Sequence, residues 1–119
     1  MQTERRSTRS NIPDESMTRA LAAAAQRNGA RAAVLATEDG FLVAGTGVGY
    51  DLAALAAFAP IVGARRVRDH EALQEATQGH PFLAAPIRVN GMEVFFATVG
   101  DSLGDVNQIE AAAGRIFAA

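Results

Sequence analysis

The segment PFLAAPIRVNGMEVFFATVG, Pro81 to Gly100, constrains the fold of this chain more than any other. Two apolar runs meet at Asn90-Gly91, a dipeptide suited to both positive-φ positions of a type I′ turn, so the spacing predicts a two-residue hairpin. Register follows from the turn: Val89 faces Met92, Arg88 faces Glu93, Ile87 faces Val94 and Ala85 faces Phe96. Leu83, Ala85, Ile87 and Val89 then share one face with Met92, Val94 and Phe96, while Phe82, Ala84 and Pro86 share the other with Phe95, Ala97 and Val99. Both faces are apolar, which predicts a hairpin in the middle of a sheet covered on both sides. Pro86 has no N–H for a ladder and demands a bulge or an unpaired position.

A second hairpin is marked by RAAVLAT and FLVAGT, two short apolar runs flanking Glu38-Asp39-Gly40. Its Asp-Gly turn makes the flanking strands antiparallel neighbours. Before it, Met17, Ala20, Leu21, Ala24 and Ala25 recur at helical spacing between Pro13 and Asn28, with Asn28-Gly29 as the stop. At the far end of the chain, Val106, Ile109, Ala113, Ile116 and Phe117 form a helical stripe that Asp101 or Ser102 is placed to cap.

Between the hairpins lies LAALAAFAPIVGA, a helix that Asp51 caps and that carries no charge until Arg65. A helix covering one side of a sheet should show polar residues to solvent, and this one shows alanines, Pro60 and Gly63. Something besides its own sheet is therefore expected to cover it. The segment after it, RRVRDHEALQEATQGH, has the composition of a helix or loop; a short polar edge strand over Leu73 to Thr77 is the other reading.

A chain of 119 residues is one domain on length, large enough to fold without metal or disulfide. It has no cysteine, and all eleven of its basic residues are arginine, which excludes thiolate nucleophiles, Schiff-base lysines and phosphate-loop lysines. A formal charge of -2 gives no overall attraction to nucleic acid. No apolar stretch reaches the ~20 residues that span a bilayer, and the amino-terminal residues lack a signal-peptide core. A cytoplasmic protein with no membrane span is expected. Residues 1–12, polar and bearing Arg5, Arg6 and Arg9, are expected to form a disordered tail.

Candidate chemistry is sparse. His70 and His80 stand outside any HExxH pattern, and neither Ser16 nor Ser102 lies in a GxSxG elbow. Glu38, Asp39 and Asp51 are explained by turn and cap roles. Arg65, Arg66 and Arg68 form the one local basic cluster; they would complement the dipole at a helix C-terminus, or present a partner-facing charge patch. The loop GTGVG, Gly45 to Gly49, sits between strand and helix as a nucleotide loop would. It has Tyr50 where GxGxxG needs glycine, and it follows a hairpin rather than a parallel crossover, so its glycines read as a hinge into the apolar helix. No catalytic, metal or cofactor-binding residue is assigned.

The segments AAVLATEDGFLVAGTG, DLAALAAFAPIVGA and IRVNGMEVFFATVGD together resemble the roadblock/dynein-light-chain family, across roughly residues 14 to 118. That resemblance implies a single roadblock-like α+β domain over residues 13–119 in the order α-β-β-α-β-β-β-α. A five-stranded antiparallel sheet, profilin-like and longin-related, would carry the first and last helices on one face and the middle helix on the other. It also implies a non-enzymatic bacterial scaffold that dimerises through the middle helix and the third strand and regulates a small Ras-like GTPase of a polarity or motility system. On this reading Leu52, Leu55, Phe58, Ile61 and Val62 are the dimer-seam candidates, and the partners are a second copy and the GTPase. The alternative from another class is a GAF-like small-ligand sensor, with the middle helix roofing a pocket over the sheet.

Overall fold

The computed structural model describes residues 2–64 and 71–118, with side chains described from Glu15 onward within the first helix. The elements run α1 (Gln2–Asn28), β1 (Ala32–Thr37), β2 (Leu42–Thr46), α2 (Leu52–Gly63), α3 (Glu71–Thr77), β3 (Phe82–Val89), β4 (Met92–Val99) and α4 (Val106–Ile116). The backbone of α1 begins well before Pro13; the disordered tail expected over residues 1–12 falls on side chains outside the described residues.

The strands form one antiparallel sheet in the order β2-β1-β4-β3, so the two hairpins join through the central β1/β4 pair. The second hairpin has the register that its turn dictates, with Val89 opposite Met92, Arg88 opposite Glu93 and Ala85 opposite Phe96. Asn90 and Gly91 take φ of 53° and 84°, the two left-handed positions of a type I′ turn. Asn90 also donates from Nδ2 to the carbonyl of Phe117 at 2.9 Å, tying the turn to the end of α4. In the first hairpin the N–H of Gly40 donates to the Thr37 carbonyl at 2.9 Å, and the ladder shifts register between Leu35 and Ala36.

Both sheet faces are covered. On one, α1 and α4 bury Met17, Leu21 and Ile109 against Leu35, Ile87, Val94 and Phe96. On the other, α2 buries Leu55, Ala56 and Ala59 against Val34, Phe95, Ala97 and Val99. The helices expected at each end and in the middle therefore lie on the expected faces.

Two expectations are corrected. The sheet has four strands among the described residues, not five, because Leu73 to Thr77 lie in α3 rather than in an edge strand. Leu73 and Thr77, four apart and both buried, give that segment a helical inward stripe, and its alanine, glutamate and glutamine favour the same state. As a result β3, which would have been interior, is an edge among the described residues. Pro86 thereby finds a position where a missing N–H costs no ladder bond. The last helix is capped by Asp105, which accepts from the N–H of Gln108 at 3.2 Å, rather than by Asp101 or Ser102. Ser102 instead accepts from the N–H of Gly104 and so tightens the loop before the cap.

Candidate functional site

The GTGVG loop carries β2 into α2. Gly47 has φ of +146°, and a Cβ there would stand 2.6 Å from the Ala32 side chain, so the turn over β1 needs glycine. Asp51 then caps α2 by accepting from the Ala54 N–H at 3.1 Å. A phosphate arriving at this helix N-terminus would meet a carboxylate already bound there, which argues against an anion site.

The inward side of α2 is built from Leu55, Ala56 and Ala59, all buried. Turning the helix through half a revolution brings Ala53, Ala57, Ile61 and Ala64 to the outside, all exposed, with Leu52, Phe58 and Val62 half-buried at the flanks. No polar side chain occurs on this helix from Leu52 to Gly63, so its solvent face is as apolar as its core face. Of the five seam candidates, Leu52, Phe58, Ile61 and Val62 keep accessible surface, and Ile61 is 37% exposed. Leu55 is corrected: at 1% exposure it belongs to the core beneath α2 and has no surface to offer a seam.

Beside this face runs a cleft of about 360 Å³, walled by Ala57, Pro60, Ile61 and Ala64 of α2 and by Glu38, Asp39 and Glu93 of the hairpin tips. A second cleft of about 570 Å³ continues between the tips, past Phe41, Arg88 and Met92. Phe41 and Met92 are 70% and 66% exposed. Arg65, Arg66 and Arg68, together with His70, lie outside the described residues. Among the described residues there is no group of three or more acidic, histidine or cysteine side chains placed to hold a metal ion. No helix among them is long and apolar enough to cross a membrane.

A ligand-sensing arrangement would need room between α2 and the sheet. Instead α2 sits directly on it: Leu55 and Ala59 are sealed against Val34 and Ala97, and Gly63 lies against the ring of Phe95.

One antiparallel sheet with α1 and α4 packed together on one face and the apolar α2 on the other, flanked by Ala76 of α3, is an α+β arrangement of the kind the hairpin resemblance implied. The fold is similar to that of the gliding protein MglB from Thermus thermophilus, with a TM-score of 0.54 and 18% identity over 87% of this chain and 90% of that one. Myxococcus xanthus MglB aligns at a TM-score of 0.47 and 12% identity, over 86% of this chain and 82% of that one. No protein-family model and no curated protein sequence matches the chain.

Proposed function

We propose that this chain is a non-enzymatic, homodimeric cytoplasmic regulator of a small Ras-like GTPase, with α2 as the seam between two copies. The observation that carries the reading is the outward face of α2, where Ala53, Ala57, Ile61 and Ala64 stand exposed with no polar side chain among them. Isolated exposed apolar residues are ordinary, whereas a whole helix face of them marks an interaction surface. A second copy of the same face covers it isologously, residue against residue across a two-fold axis. A standard interface takes about 800 Å² from each partner, more than one short helix offers, so the seam extends onto the adjoining cleft walls.

The GTPase half of the proposal draws on the resemblance of the two hairpins to roadblock proteins and on a fold shared with a gliding protein. Its test is calorimetric titration of the purified protein with the Ras-like GTPase encoded nearest to its gene, loaded first with GDP and then with a non-hydrolysable GTP analogue. Binding that differs between the two nucleotide states supports regulation. Absence of binding in both states at concentrations near 100 μM, where a weak complex of about -5.5 kcal/mol would register, removes it.

A further inference from the structure

The two-residue turn at Asn90-Gly91 determines which backbone groups of β3 look toward β4 and which look away. Val89 and Met92 close the turn as a hydrogen-bonded pair, so Ile87, Ala85 and Leu83 bond across to β4 at every second step. The alternate residues Phe82, Ala84, Pro86 and Arg88 aim their backbone groups away from β4, off the sheet, because β3 is its outermost strand among the described residues. An eight-residue edge of this kind is a template for strand addition by another chain.

Here two of the four outward positions have no N–H to give. Position 86 is proline, exposed and without a donor. At position 88 the N–H donates to Oε2 of Glu110 at 2.7 Å, a short bond to a carboxylate that α4 brings alongside the edge. An incoming antiparallel strand exchanges two bonds with each successive outward residue, so with no donor free at 86 or 88 only Phe82 and Ala84, both at the end far from the turn, can exchange both. The opposite edge is blunted by other means, since β2 has five residues and the register shift against β1 interrupts its ladder.

We infer that Pro86 and Glu110 act together as a guard that closes the turn-proximal half of β3 to strand addition by a second copy of this chain. The inference concerns the sheet edge and stands independently of the α2 seam. It also predicts that the molecule associates without extending its sheet through β3.

The test uses the full chain carrying Glu110→Ala, Glu110→Gln, Pro86→Val and the double variant Pro86→Val/Glu110→Ala. Hydrogen exchange at the Arg88 amide reads the guard directly: Glu110→Ala speeds exchange about tenfold or more, whereas Glu110→Gln, whose amide oxygen still accepts, stays near wild type. Light scattering against concentration reads the consequence, and the double variant climbs above the wild-type mass with a gain in intermolecular β-sheet signal in the infrared. An Arg88 amide that exchanges equally fast with and without the Glu110 carboxylate overturns the inference. So does a folded double variant that keeps the wild-type mass over the same concentration range.

Discussion

Gly63 lies so close to Phe95 that a Cβ on the glycine would stand 2.6 Å from Cδ2 and 2.8 Å from Cε2 of the ring. This contact sets how near the C-terminal turn of α2 comes to the sheet. Phe95 is 6% exposed and held among Val34, Ala59 and Ala97, so the ring has little freedom to retreat. Overpacking a filled core costs about 1–3 kcal/mol, more than the gain of up to about 1 kcal/mol that alanine brings to a helix. Gly63→Ala is therefore expected to lower unfolding stability in urea, and Phe95→Leu in the same chain to recover part of the loss.

Tyr50 offers the opposite sign. Its hydroxyl is buried at the entrance to α2 and has no hydrogen-bond partner among the described residues. Burying an unpaired hydroxyl costs about 1–3 kcal/mol, and phenylalanine keeps the ring while removing the penalty. Tyr50→Phe should raise the denaturation midpoint, and a fall would show that the hydroxyl has a partner in solution.

The turn that closes the second hairpin is the third point of leverage. Asn90 occupies φ of 53° and donates to the Phe117 carbonyl. Asn90→Ala loses the bond and places a Cβ-bearing residue without local hydrogen bonding in left-handed backbone, for a cost of about 1–2 kcal/mol. Asn90→Gly removes only the bond and should cost measurably less by the same denaturation assay.

Leu55 and Ile61 sit on opposite sides of one helix and should respond differently. Leu55→Ala opens a cavity in a filled core and is expected to cost about 2–5 kcal/mol of stability. Ile61→Ala removes side-chain surface that is already partly in water and should cost the isolated chain far less, as chemical denaturation at low protein concentration will show.

How legible this was from the chain itself depended on where periodicity survived. Asn90-Gly91 carries register on its own, so every pairing of β3 with β4 and the division of Ile87 and Phe96 from Ala84 and Phe95 can be read from the sequence. Asp51 as the cap of α2 was equally readable, because the cap residue directly precedes the apolar run. In α2 itself the signal disappears: with every residue apolar or small, nothing distinguishes Leu55, which faces the sheet, from Ile61, which does not. At Leu73 to Thr77 the edge strand is the second reading beside a helix or loop, admitted because exposed edges tolerate polar composition. The run EALQEAT favours a helix on propensity, and the burial of Leu73 and Thr77 in the structure supplies the inward stripe that the sequence did not reveal. Glu110 left no trace in the sequence reading, because its role depends on β3 being an edge.

The central claim is that the outward face of α2 joins two copies, and the most direct measurement is molar mass by light scattering across a concentration series for wild type and Ile61→Arg. Wild type is predicted to show the mass of two chains, falling only on dilution. Ile61→Arg, which puts a charge on the exposed side of the helix while leaving Leu55, Ala56 and Ala59 in place, is predicted to show the mass of one chain with unchanged helix content by circular dichroism. A wild-type protein that stays at one-chain mass throughout, or an Ile61→Arg protein that keeps the two-chain mass, would contradict the account.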